Sequence, residues 1–107
     1  MDTETIKKYE HYRENWKFYL TEIKSLILNL CPDAEVYIFC SVIKGNTHPT
    51  SDIDVLMVSA EFKNIRKRIE THAKLKLHFM DAPFEFHLIY PDKFPFYQKM
   101  AKEMVKV

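Results

Sequence analysis

Residues 51–58 read Ser51-Asp52-Ile53-Asp54-Val55-Leu56-Met57-Val58, so two carboxylates stand two residues apart at the start of an apolar run. In an extended strand such side chains point to the same face, about 6 to 7 Å apart along the backbone. Like charges resist burial unless a cation or hydrogen-bond donors offset them. The stretch therefore predicts a buried strand whose Asp52 and Asp54 can hold a hard divalent cation. The alternative is a polar strand start exposed to solvent.

The chain before this strand predicts one helix, one strand and a turn. From Thr3 to Leu30, apolar residues recur at three- and four-residue spacing without Gly or Pro, which predicts a long amphipathic helix. Pro32 ends it, and the strand-forming residues 36–40 follow. Residues 41–51 contain the chain's only glycine, Gly45, among turn-forming residues, which is typical of a short helical turn and an exposed loop.

The chain after the strand predicts two helices separated by a further strand. The first starts near Ala60, and the residues predicted to face inward are Phe62, Ile65, Ile69, Ala73 and Leu77. Residues 84–90 alternate as a strand, and Pro91-Asp92 opens a last helix that extends to Val105. This order predicts an α/β or α+β fold, one domain over residues 1–107, with a small sheet covered on one side by helices.

Composition restricts the class of protein. The chain has 107 residues, 47% of them hydrophobic, which suits one domain with a real core. Sixteen basic and fifteen acidic residues give a net charge of +1, so nucleic acid and anionic membranes are not expected partners. No apolar run approaches the roughly 18 residues of a membrane span, and the polar start is unlike a signal peptide. We expect a cytoplasmic protein in which Cys31 and Cys40 are buried free thiols.

Two further segments are predicted to face the paired carboxylates. Ser41 lies where the first strand enters its turn, and the backbone N–H groups at such a helix start bind phosphate, with the hydroxyl as one more donor. An N-cap role for Ser41 is compatible with this one. Glu85 begins a strand expected beside the Asp52–Asp54 strand, so it either completes a three-carboxylate site or is simply solvated. His87 shares its face and either lines the site, where it could hydrogen-bond Glu85, or is structural.

Three carboxylates facing a phosphate-binding turn suit nucleotidyl transfer. Mg²⁺ prefers octahedral oxygen ligands, usually one or two carboxylates with substrate phosphates and water. In a two-ion site, one ion bridges the triphosphate and the other activates the attacking hydroxyl. Little covalent chemistry is left to the protein, because positioning and charge neutralisation supply most of the rate.

Two motifs together resemble the minimal nucleotidyltransferases of the DNA polymerase beta superfamily, whose signature is Gly-Ser-x-x-x-Gly, a variable loop, then Ser-Asp-x-Asp and an apolar tail. Here they read Phe39-Cys40-Ser41-Val42-Ile43-Lys44-Gly45 and Ser51-Asp52-Ile53-Asp54-Val55-Leu56-Met57-Val58. The resemblance implies that Ser41, Lys44, Gly45 and Ser51 contact the triphosphate of ATP or another nucleoside triphosphate. It also implies that Asp52, Asp54 and Glu85 are the catalytic acids and Mg²⁺ ligands.

The chain departs from this signature at Cys40, which replaces the family's first glycine, and a side chain there could narrow the nucleotide site. Two functions follow. The first is transfer of a nucleoside monophosphate to a hydroxyl, which the resemblance places on a partner such as a HEPN-type toxin. The second is a non-catalytic subunit, such as the antitoxin of that pair.

An aromatic patch on the first helix is predicted to form a homodimer or to dock the partner; it comprises Tyr9, Tyr12, Trp16 and Tyr19.

Overall fold

The computed structural model of the chain describes residues 2–39, 52–101 and 103–107. Within those ranges it forms four helices and four strands. In chain order they are α1 (Thr3–Glu14), α2 (Trp16–Leu30), β1 (Glu35–Phe39), β2 (Ile53–Val58), α3 (Ile65–His78), β3 (Phe84–Ile89), α4 (Phe94–Met100) and β4 (Met104–Lys106). Short 3₁₀ turns at Ala60–Lys63 and Pro91–Lys93 precede α3 and α4. The predicted α+β class is confirmed.

The four strands form one mixed sheet in the order β3-β2-β1-β4. β2 pairs with β3 in parallel and with β1 in antiparallel orientation, and β1 also pairs with β4 in antiparallel orientation. β2 is therefore an interior strand, which is why its apolar run is almost fully buried. The prediction of a strand at 53–58 is confirmed, and so is its position beside the strand that carries Glu85.

The two faces of the sheet are covered unequally. The larger core includes Leu20, Ile23 and Ile27 of α2 together with Val55 and Met57 of β2. A smaller cluster on the opposite face consists of Leu56, Val58 and Ile89, with partly buried aromatic residues from β1 and α4 packed against it. The expectation of helices on one side therefore holds for the main core, and α4 adds a short cover to the second face.

The predicted single helix over residues 3–30 is two helices divided at Asn15. The Asn15 side chain donates through Nδ2 to the carbonyl oxygen of His11 at 2.8 Å, a carbonyl that the Asn15 N–H also reaches at 3.1 Å. An asparagine that bonds its local backbone in this way competes with the helical hydrogen bonds. The periodicity of the apolar residues continues across this break, so it did not reveal the break.

Phe62 is buried as predicted, but the inward face predicted for the next helix from Ile65 onward is wrong. Ile65, Ile69 and Leu77 are 63, 63 and 68% exposed. α3 instead buries Thr71 and Leu75. Both sets have a spacing of four residues, so periodicity alone could not choose between them.

The last predicted helix ends earlier than expected. α4 stops at Met100, and residues 104–106 form β4 on the free edge of β1. The Val107 N–H donates to the Val36 carbonyl oxygen at 2.8 Å and continues that pairing. Without β4, the backbone N–H and C=O groups along this edge of β1 would have no strand to pair with. Hydrogen bonds to these groups stabilise the strand conformation of Met104 and Val105 more than their helical spacing favours a helix.

Two predictions from composition concern the cysteines and the absence of a membrane span. Cys31 is buried as a free thiol, as predicted, and burial raises its pKa. Cys40 lies outside the described residues. Among the described helices, none combines the length and the apolar character needed to cross a membrane.

Candidate metal and nucleotide site

The parallel register of β2 and β3 brings two of the predicted acids together. Asp54 pairs with Glu85, and two residues further along each strand Leu56 pairs with His87. Because side chains alternate along strands, Asp54, Glu85 and His87 lie on the same face as Leu56, Val58 and Ile89, the face that α4 only partly covers. Each of the three side chains reaches solvent, since they are 30, 55 and 26% exposed.

These three side chains, which we call the Asp54 cluster, converge on a small space. His87 Nε2 lies 3.1 Å from Asp54 Oδ1 and 4.0 Å from Glu85 Oε1. One potential ligand atom from each residue lies within 4.8 Å of the other two. Around a cation with ligands at about 2.1 Å, adjacent octahedral ligands are about 3 Å apart and opposite ones about 4.2 Å. Small side-chain rotations therefore suffice for all three to bind one ion.

The His87 ring lies close to two aromatic side chains. Phe39 stacks on it with centroids 5.9 Å apart and an interplanar angle of 16°, and Tyr97 of α4 lies 6.2 Å away. The hydrogen bond with Asp54 raises the pKa of His87; burial of the ring opposes the rise, and the charges of Asp54 and Glu85 add to it. Without a cation, the imidazole thus offsets the repulsion between two neighbouring carboxylates.

Asp52 lies outside the Asp54 cluster, exposed and one residue before β2. Its charge reaches Arg13 on α1: burial lowers the pKa of that guanidinium, and the charges of Glu10 and Asp52 oppose the shift. The end of α1 therefore approaches the start of β2. Sequence reasoning missed Arg13, because nothing in its local pattern links it to residue 52.

The predicted phosphate-binding residues cannot be compared with the structure. Ser41, Lys44, Gly45 and Ser51 lie outside the described residues, as does Cys40. The described part of the candidate site is therefore the Asp54 cluster, in which two of the predicted acids, Asp54 and Glu85, lie together. His87 was expected to line the site or to bond Glu85, and its hydrogen bond goes to Asp54 instead.

Two cavities lie beside α3 and α4 rather than over the Asp54 cluster. One of about 410 Å³ is lined by residues of α3 and by Leu88. Another of about 610 Å³ also includes Leu88, together with Arg68, Lys93, Phe96 and Tyr97. Tyr97 lines the larger cavity and also lies beside His87, so this one side chain separates the cavity from the candidate site. Because it is lined by both basic and aromatic side chains, this cavity suits a ligand that has polar and apolar groups.

Comparison with known families shows which family the chain belongs to. The family model of the nucleotidyltransferase domain matches residues 19–107, a range that contains all four strands and the whole Asp54 cluster. The chain belongs to the nucleotidyltransferase domain family. Its resemblance to the minimal nucleotidyltransferases is thus confirmed at the level of the family.

Solved structures agree with this membership. A protein described as a candidate nucleotidyltransferase shares 30% identity with this nucleotidyltransferase domain at a TM-score of 0.74, over 83% of this chain and 97% of that one. A second such protein, from Sulfolobus solfataricus, has 23% identity and a TM-score of 0.56, over 99% of this chain and 87% of its own; it supports the fold alone. No curated protein matches the chain.

Proposed function

We propose that this protein, as one domain over residues 1–107, transfers a nucleoside monophosphate from a nucleoside triphosphate, ATP in the first place, to a hydroxyl acceptor with Mg²⁺ as cofactor. The observation that carries the proposal is the pairing of Asp54 with Glu85 across parallel strands in a member of the nucleotidyltransferase family. Two facing carboxylates on neighbouring strands destabilise the folded state, because each raises the free energy of the other's ionised form. Stability therefore does not explain their presence.

Each predicted residue has a role in this proposal. Asp52, Asp54 and Glu85 hold the cation, and their partial exposure supports access for a triphosphate. By the family resemblance, Ser41, Lys44, Gly45 and Ser51 bind the phosphates. Two Mg²⁺ ions bound there would neutralise the triphosphate and lower the pKa of the acceptor hydroxyl. The protein's own contribution is to position these groups before the reaction.

We propose that the acceptor hydroxyl belongs to a protein. The cavity of about 610 Å³ that ends beside Tyr97 supports this, because it could receive a segment of another chain next to the Asp54 cluster. The family resemblance suggests a HEPN-type toxin as the partner. A homodimer, in which a second copy presents the hydroxyl, is the other form of the same proposal.

A second candidate function is a binding subunit without catalysis. The observation that favours it is Cys40, at the position where the family signature has its first glycine. A Cβ atom at that position restricts how closely backbone can approach phosphate. In this function the protein binds a partner, as the antitoxin of a toxin–antitoxin pair would. The acids then bind a cation or a nucleotide but catalyse no reaction.

The first experiment replaces Asp52 and Asp54 together by Asn, which removes two charges and keeps the shape of both side chains. Isothermal titration of ATP in the presence of Mg²⁺ should show at least a tenfold loss of affinity, since each lost metal ligand costs on the order of 1.4 kcal/mol or more. Asp81→Asn is the matched control, because Asp81 is an exposed acid whose carboxylate lies 3.8 Å from Lys8 Nζ, a long ion pair. ATP binding as tight in the double variant as in the parent would refute the site.

A further inference from the structure

We propose that His87 is a direct metal ligand beside Asp54 and Glu85, and that it makes the site prefer first-row transition ions such as Mn²⁺ and Co²⁺ to Mg²⁺. This inference rests on the proposed nucleotidyltransferase site and names the ion that the site selects. It departs from the all-carboxylate ligand set that the motifs predict.

The first step is the position of the nitrogen relative to the acids. His87 Nε2 is 3.1 Å from Asp54 Oδ1, about the spacing of adjacent ligands in an octahedral site. Its 4.0 Å separation from Glu85 Oε1 is close to that of opposite ligands. Asp52, by contrast, contributes no atom to the Asp54 cluster. In the described residues, the third potential ligand atom next to Asp54 and Glu85 is therefore an imidazole nitrogen.

The second step is that the ring is already oriented. Phe39 and Tyr97 pack beside the imidazole, and its Nε2 edge is directed at Asp54. A ligand held by packing loses little freedom when the ion binds. A surface histidine brought near acids by chance would lack these contacts, so the arrangement favours a ligand that is preorganised for metal binding.

The third step is the chemistry of the donor set. Mg²⁺ binds oxygen ligands and keeps much of its water, whereas imidazole nitrogen is a good ligand for first-row transition ions. Two carboxylates and one imidazole therefore favour Mn²⁺ over Mg²⁺, and the Irving–Williams order places Co²⁺ above Mn²⁺. Ligation needs the neutral ring with its lone pair on Nε2, so the proton that this nitrogen shares with Asp54 moves to Nδ1 or to solvent.

A competing role for His87 is purely electrostatic. The imidazole would then only offset the charges of Asp54 and Glu85 in the absence of a cation, and any bound ion would displace it. In that case replacing His87 would tighten the binding of every divalent ion, or leave all of them unchanged. The two roles thus predict different effects of the same substitution: loss of affinity for transition ions if His87 is a ligand, and no loss if its role is electrostatic.

The test is isothermal titration of MgCl₂, MnCl₂ and CoCl₂ into the full chain without nucleotide. The parent should bind Mn²⁺ at least about tenfold more tightly than Mg²⁺, and Co²⁺ more tightly still. His87→Gln should weaken Mn²⁺ and Co²⁺ binding by about 10- to 100-fold and change Mg²⁺ binding by less than about threefold, because the amide still offers oxygen. Glu85→Gln should weaken all three ions together, and His78→Gln on the exposed end of α3 should change none.

A spectroscopic readout separates ligation from a general effect on the fold. The visible absorption of bound Co²⁺ should change between the parent and His87→Gln, because the nitrogen ligand is lost, and circular dichroism should report the same fold for both. Equal Mn²⁺ and Mg²⁺ affinity in the parent, or parallel changes of all ions in His87→Gln, would overturn the inference. Failure of the proposed function is distinct: ATP would then bind with none of the three ions, whatever their affinities for the chain.

Discussion

At the scale of single residues, Asp33 shows how an acid is used when it serves the fold. The Ser59 hydroxyl donates to Asp33 Oδ1 at 2.6 Å and the Ala60 N–H donates to Oδ2 at 2.9 Å, which ties the turn after α2 to the end of β2. These two donors hold the pKa of Asp33 below its ordinary value. Among the described residues, Asp54 has no such pair of backbone and hydroxyl donors and bonds His87 instead, an arrangement suited to a cation.

Asp33→Asn should lower the free energy of unfolding by about 1 kcal/mol at neutral pH, a modest figure because Asp33 is mostly exposed. The folded pKa lies below the unfolded value of roughly 3.9, so this stabilisation is present above that value and disappears as the pH falls through the folded pKa. Urea unfolding of parent and variant at pH 7 and pH 2.5 would measure it. Asp81→Asn is the control, and a difference between parent and Asp33→Asn that is as large at pH 2.5 as at pH 7 would contradict the assignment.

At the scale of elements, α3 carries two apolar stripes and uses only one of them for the core. Leu75 is fully buried and Leu77, two residues later, is 68% exposed. The outward stripe, which also contains Ile65 and Ile69, lies among basic residues of the same helix. Exposed apolar groups at this spacing are typical of a contact surface for another helix or chain.

Leu75→Ala should destabilise the protein by about 2 to 5 kcal/mol, because it opens a cavity in the core. Leu77→Ala removes the same atoms from a solvated position and should change stability by less than about 0.5 kcal/mol. Chemical unfolding monitored by circular dichroism measures both. Similar losses for the two variants would contradict the placement of Leu75 in the core and of Leu77 in solvent.

The strands β2 and β3 were predictable from sequence for reasons that β4 and the helices do not share. Residues 53–58 and 84–89 are short apolar runs rich in branched and aromatic side chains, so their type and limits follow from local composition. The position of β4 depends on the free edge of β1, a tertiary feature absent from the local pattern. The break at Asn15 depends on one side-chain hydrogen bond. The pairing of Asp54 with Glu85 was predicted only as far as the strands being neighbours, because register is set by the whole sheet.

The candidate site shows a similar division. Asp54 and Glu85 were predicted from motif and strand order, and the structure brings them together. His87 was recognised only as a residue on the same face, since the choice of Asp54 as its partner depends on the register of β2 and β3. Phe39, which stacks on His87, could not be connected to it from sequence, because it lies two strands away.

At the scale of the whole molecule, the aromatic residues of the first helical segment contribute more to the core than predicted. Tyr12, Trp16 and Tyr19 are partly buried and pack against the main cluster, and the Tyr12 ring contacts Phe84 edge-on at 5.6 Å. The larger exposed apolar side chains lie elsewhere in the described residues. They are Phe18, Ile65, Ile69, Leu77, Met80, Phe96, Met100 and Val105. A partner or a second copy would therefore find most of its apolar contacts on α3 and α4, next to the two cavities.

The central claim, that this member of the nucleotidyltransferase family binds nucleotide through a cation held at Asp54 and Glu85, is tested most directly by titrating ATP into the parent chain. One titration contains MgCl₂, a second contains MnCl₂ and a third contains EDTA. We predict saturable binding with each cation and at least about a tenfold loss of affinity in EDTA, since the phosphates would otherwise face uncompensated carboxylates. ATP affinity that is the same in EDTA as with either cation, or absence of binding under all three conditions, would contradict the account.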